Sequence, residues 1–308
     1  MAQINTFTLP SNVDHLNLSV LTVEPDNAAP CALLQLAHGM SEHKERYLPF
    51  MKFMAEHGYA CIINDHRGHG ASVKSEKDLG YFYAGGADAV VEDLHQITRY
   101  FRERHPGLKL FLFGHSMGSL AVRAYRLKYD REIDGLIVCG SPGKNPAAGA
   151  GLTLLKLMCA LRGERHISPL FMNMTTGSFA RRFPDPNTQS GWLSVNPDNI
   201  KDFDADPLCG FPFTLNGYRA LFTLMRQAYD THTQPGHPDM PVHFVSGSDD
   251  PCAPDARGFE AAAQAMRDAG YRDVTAKMYP GMRHEILNET GRQQVFDDLL
   301  DKLNQWNH

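Results

Sequence analysis

The chain has 308 residues, 43% of them hydrophobic and 21% charged, and a formal charge of −5. That length suits one large α/β domain or two ordinary ones, with a substantial core, and the interleaved charges exclude the broad positive field that grips a nucleic-acid backbone. No apolar run reaches the roughly 20 residues of a membrane span, and "MAQINTFTLPSNVDH" lacks the basic start and apolar core of a secretory signal, so a cytoplasmic protein is expected.

In chain order, "HLNLSVLTVEP" (15–25) alternates as a strand with one wet face would, and "CALLQLAHG" (31–39) reads as a central strand ending in glycine. "YLPFMKFMAEHG" (47–58) has helical spacing with a glycine stop, and "YACIINDHRGHG" (59–70) is a strand running into a glycine-rich loop. A long amphipathic helix follows over 87–107, then strand 108–114, helix 117–129 and strand 133–141. This alternation predicts a mostly parallel sheet with helices on both faces. The rhythm breaks from about 142 to 237 and resumes with strand 240–250, helix 254–270, strand 272–281 and a last helix from about 289 to 306. Residues 1–141 and 238–308 therefore read as one α/β core, and 142–237 as an inserted cap.

The segment "LFLFGHSMGSLAV" (110–122) carries the chemistry. A buried strand, then Gly114-His115-Ser116-Met117-Gly118, then a helix match the nucleophile elbow in its required context. Glycine at 114 and 118 lets strand and helix approach, while Ser116 projects from a strained turn at the helix N-terminus. A serine hydroxyl needs a base, and the base an acid to orient it. In this kind of fold the acid follows a late strand and the histidine follows the last one. "HFVSGSDDPCAP" offers Asp249 and Asp250, of which Asp250 is preferred because Pro251 bends the chain away. "KMYPGMRHEILNE" offers His284. The oxyanion needs two backbone N–H donors: Met117, after the nucleophile, and Met40, in "HGMSEH" after strand 31–37.

At these residues the chain resembles the serine α/β-hydrolases of the monoacylglycerol lipase and bacterial lysophospholipase family, through "HGMSEHKERY" (38–47), "NDHRGHGAS" (64–72), "FGHSMGS" (113–119), "GSDDPC" (247–252) and "PGMRHEILNE" (280–289). The resemblance implies an α/β-hydrolase fold, with Ser116 as nucleophile, Asp250 as acid, His284 as base, Met40 and Met117 as oxyanion hole, and 142–237 as a lid. The cap resembles the family only through "DPLCGFPFT" (206–214).

Helix 149–163 is apolar nearly all round, and residues 141–182 carry six basic side chains against the single acid Glu164. Such a segment suits a transient contact with an anionic lipid surface or an acyl tunnel. Leu154, Met158, Phe171, Met174 and Phe179 are the expected substrate contacts, flexible apolar groups suited to a fatty chain.

The expected reaction is hydrolysis of monoacyl-lipid esters with no metal and no organic cofactor. The six cysteines show no ligand spacing and read as free thiols, although Cys252, two residues from Asp250, is expected to make activity sensitive to a bulky thiol reagent. Alternatives with the same machinery are a short-chain carboxylesterase, a thioesterase or a proline-iminopeptidase-like enzyme, the last needing cap carboxylates such as Asp202, Asp204 or Asp206. A silent ligand-binding protein is less in keeping with a complete triad.

Overall fold

The computed structural model describes residues 2–26, 28–185, 187–253 and 256–308. Eight strands, β1 (Ala2–Pro10), β2 (Asn17–Pro25), β3 (Ala32–Ala37), β4 (Tyr59–Asn64), β5 (Leu110–His115), β6 (Gly135–Cys139), β7 (Val242–Gly247) and β8 (Val274–Tyr279), form one sheet. Their order is β1-β2-β4-β3-β5-β6-β7-β8, parallel from β4 onward and antiparallel at β1 and β2.

The period of two along each central strand feeds two cores. In β3, Leu33 and Ala37 face one cluster while Ala32, Leu34 and Leu36 face the other. Gln35 breaks the apolar run yet is fully buried, because its amide donates to Leu94 O (2.9 Å) and accepts from Thr98 Oγ1 (2.7 Å). Helices α1 (Leu48–Glu56) and α10 (Arg292–Asn307) cover one face through Phe50, Met54, Phe296 and Leu299. On the other lie α2 (Gly86–Arg104), α3 (Met117–Tyr129) and α9 (Ala256–Ala269).

Parallel neighbours β6 and β7 are joined by the long insertion, which carries α4 (Ala148–Arg162), α5 (Pro169–Met174), α6 (Thr176–Ala180), α7 (Pro197–Ala205) and α8 (Leu215–Ala228). Helix α8 packs on α2, α3 and α4, and its Leu215, Tyr218 and Leu224 join the same cluster as Leu94 and Leu120. The insertion thus grows out of the main core.

Two expectations need correction. Strand β1 was not foreseen: only Ile4, Phe7 and Leu9 break its polar run, and it is largely exposed at the sheet edge. It displaces β2 inward, so Ser19 and Thr22 are buried where a wet face was expected. Ser72 Oγ satisfies the Ser19 N–H at 2.8 Å. The first two residues of the helix expected over 254–270 lie outside the described residues.

Candidate active site

Strand β5 delivers Ser116 into the turn before α3 with φ 53° and ψ −117°. That conformation costs a non-glycine residue about 1–3 kcal/mol and is held by the Ser116 N–H donating to Cys139 O on β6 (2.9 Å). Close approach explains the flanking glycines. A Cβ at 114 would stand 2.5 Å from Gly118 O, and one at 118 would stand 2.1 Å from Ala37 O on β3.

Strands β7 and β8 end on the same side and bring Asp250 and His284 together. Both carboxylate oxygens of Asp250 lie 3.0 Å from His284 Nδ1, and both residues are buried. Cys252 N–H (2.8 Å) and Ser246 Oγ (2.9 Å) also donate to Asp250. Burial opposes ionisation of this carboxyl, but the adjacent His284 and these donors outweigh it and hold its pKa below the ordinary value. Asp249 is exposed and forms a turn, its N–H donating to Met282 O. With Nδ1–H committed to Asp250, His284 Nε2 is left to accept a proton. Cys252 Sγ lies 3.8 Å from that nitrogen and the Trp192 ring 5.1 Å from the imidazole.

The loop after β3 brings Met40 beside Met117 and Ser116 in the same cavity. Ser41 sits at φ 54°. Its Oγ donates to Phe211 O (2.7 Å) and its carbonyl accepts from Gly210 N–H (2.8 Å), which fastens this loop to the insertion.

Sequence reasoning missed the charged network beneath. Buried Glu42 accepts from Gly39 N–H (2.5 Å), Tyr47 OH (2.8 Å), Arg46 Nε (3.2 Å) and His115 Nδ1 (3.3 Å). Arg46 also donates to Glu285 and to Asn199 Oδ1, and stacks over the Phe203 ring at 4.8 Å. His115 Nε2 donates to His284 O (3.2 Å). Since both partners of His115 are acceptors only, its ring carries two protons. Burial works against that charge, and Glu42 outweighs it to raise the His115 pKa. Burial likewise opposes the Glu42 carboxylate, but His115 and Arg46 draw its pKa down. The charged run "SEHKER" (41–46) in the loop after β3 is the available signal. Nearby, burial pushes His66 down to about 4 and His69 to about 3, so both are neutral packing groups at pH 7.

A largely apolar cavity of about 200 Å³ lies over Ser116 and His284, walled by Met172, Thr175, Phe179, Trp192, Phe211 and Met225 among others. Of the five expected substrate contacts only Phe179 lines it. Phe171 is fully buried against Tyr218 and Phe222, Met158 packs on the core, and Leu154 and Met174 point outward, 40% and 51% exposed. The side of each short helix that faces inward is set by long-range packing, which residue type alone does not encode. None of Asp202, Asp204 and Asp206 lines the cavity. Asp204 accepts from Thr188 and Ser190, and Asp206 pairs with His43.

Residues 28–291 match the family described as serine aminopeptidase, S33. The chain is 28% identical to the monoacylglycerol lipase of Mycolicibacterium smegmatis over 88% of its own length and 87% of that protein's. It is 24% identical to the monoglyceride lipase of Homo sapiens, covering 90% and 82% respectively. Among solved structures, a thermostable carboxyl esterase from Bacillus coagulans in complex with glycerol superposes with a TM-score of 0.89 at 27% identity, over 100% of both chains. The chain therefore belongs to the serine aminopeptidase S33 family and is a serine hydrolase built on the α/β-hydrolase fold.

Proposed function

We propose that this enzyme hydrolyses carboxylic esters of monoacyl lipids through an acyl-enzyme, with 142–237 serving as a cap over the site. Ser116 Oγ attacks the ester carbonyl while His284 Nε2 takes its proton, and Asp250 keeps the imidazole in the required tautomer. The N–H groups of Met40 and Met117 receive the developing oxyanion, aided by the positive end of α3. The protonated His284 then releases the alcohol, and a water activated the same way frees the fatty acid.

The observation that carries the lipid reading is the apolar cavity over Ser116. Its two lining carboxylates are already engaged, Glu42 by Gly39, Tyr47, Arg46 and His115, and Glu285 by Arg46 and Asn199. An aminopeptidase needs a carboxylate for the substrate ammonium. A buried acyl methylene contributes about 0.8 kcal/mol, so a long chain gains several kcal/mol over butyrate. The relatives named as monoacylglycerol and monoglyceride lipases support the same reading.

The cap also presents an apolar stripe. Leu157 and Leu161 on α4 are 57% and 73% exposed, and Ile167 and Leu170 continue it beside the basic residues of this segment. Among the described residues no helix is long and apolar enough to cross a membrane; an apolar stripe beside basic residues suits a peripheral contact with an anionic lipid surface.

Fatty-acid release from monoacylglycerol, lysophosphatidylcholine and a butyrate ester, with Ser116→Ala as blank, tests the proposal. Long-chain monoacyl esters should be turned over fastest. Activity confined to butyrate would make the enzyme a short-chain esterase.

A further inference from the structure

The loop after β3 and the turn after α7 meet in a cluster of donors that ester hydrolysis leaves unused. His43 Nε2 lies 2.8 Å from Asp206 Oδ2, and its Nδ1 lies 2.7 Å from Glu45 Oε2. One ligand atom each from His43, Asp206 and Cys209 all fall within 4.8 Å of one another. We propose that His43, Asp206 and Cys209 bind a thiophilic divalent cation, zinc foremost, which ties the Met40 loop to the insertion.

The donor set is one imidazole nitrogen, one carboxylate oxygen and one thiolate, a combination that zinc accepts and hard cations do not. Around zinc such atoms sit about 3.3–3.8 Å apart, given Zn–N and Zn–S distances of roughly 2.0 and 2.3 Å, so modest side-chain movements close the site. Glu45 occupies the place of the carboxylate that commonly orients a ligating histidine through its other ring nitrogen, leaving Nε2 for the metal. His43 is buried while Asp206 and Cys209 are partly exposed, which gives the ion a route in and leaves a coordination position for water.

The locus already attracts positive charge. His43 lies between two carboxylates, with Asp206 Oδ2 2.8 Å from Nε2 and Glu45 Oε2 2.7 Å from Nδ1. Lys44, Arg46 and Glu42 complete the charged surroundings. On zinc binding, the proton on His43 Nε2 and the thiol proton of Cys209 pass to solvent, so two positive charges replace two and the net charge of the group is unchanged. Gly210 and Phe211, next to Cys209, hold Ser41 from the other side. The metal would brace that junction.

The test needs no enzymatic readout. Chelator-treated full-length protein is titrated with Co²⁺ at mildly alkaline pH and then with Zn²⁺. The expected result is a thiolate-to-cobalt charge-transfer band that Zn²⁺ displaces, that Cys209→Ser abolishes and that Cys252→Ser retains. Glu45→Gln should keep the band and weaken cobalt binding about 10–100-fold, with circular dichroism verifying that each variant is folded. Absence of the band in the wild type overturns the proposal. So does a band that survives Cys209→Ser, which puts the metal on another thiol, including Cys252 in its grouping with Asp250 and His284.

Discussion

Asp250→Asn is expected to leave the fold standing and to cut kcat for ester hydrolysis by about four orders of magnitude. Asparagine preserves the shape of the side chain, but Asp250 now takes hydrogen bonds from His284, Cys252 N–H and Ser246 Oγ at once. An amide offers one acceptor oxygen where the carboxylate offers two. With NH2 facing the imidazole, Nδ1 must accept, the proton moves to Nε2, and His284 can no longer act as base toward Ser116. Asp249→Asn is the control: that side chain is exposed and accepts a hydrogen bond from Ser248 Oγ at 2.9 Å. Steady-state kinetics of both variants decide the matter. A large loss in Asp249→Asn with little change in Asp250→Asn would assign the acid to the other residue.

Arg46→Met should have the largest effect on stability, about 3–5 kcal/mol, read as a fall in Tm on the order of 10 °C. The guanidinium is 10% exposed and joins Glu42 to Glu285. Methionine fills much of the volume and leaves Glu285 buried with Asn199 as its principal donor (2.7 Å). The pH dependence carries a definite sign. The Glu42 pKa lies below its ordinary 4.5 in the folded protein, so its contribution is complete above that value and fades as the pH falls below it. Because Arg46 supplies part of that lowering, the stability gap from wild type should stay constant from pH 7 to about 5 and narrow only as the pH falls below 4.5 toward 4. Thermal melts across that range check it. A loss under 1 kcal/mol at pH 7 would mean that the two carboxylates do not depend on Arg46.

The parts of this design that sequence makes legible are those with short-range causes. The apolar runs of β3 and β5 end in glycine, and Ser116 lies between two glycines because strand and helix must touch. Asp250 and His284 follow the last two strands of the sheet. What sequence hides is long-range. Arg46 and Glu285 meet across 239 positions, and no local pattern announces it. Phe171 and Phe179 look equivalent in "FMNMTTGSF", yet one is core and the other wall, because α8 claims the first through Tyr218 and Phe222. Edge strand β1 has too few apolar residues to be distinguished from a polar leader.

The fastening of Ser41 to residues 210–211 decides how a long ester can reach the nucleophile. Moving that wall drags the loop bearing Met40, so entry there would displace the N–H proposed to receive the oxyanion. The wall at 191–195 is equally committed: Leu193 O accepts from Glu285 N–H (2.8 Å), and Val195 N–H and Ser194 Oγ donate to Glu289, next to the turn carrying His284. The third side, α5 and α6, makes local side-chain bonds such as Thr175 Oγ1 to Phe171 O and Ser178 Oγ to Thr175 O (both 2.7 Å), and is anchored to α8 where Phe171 packs on Tyr218 and Phe222. It carries outward-facing Leu170 and Met174, so the short helices that wall the cavity through Met172 and Phe179 also present apolar side chains to solvent.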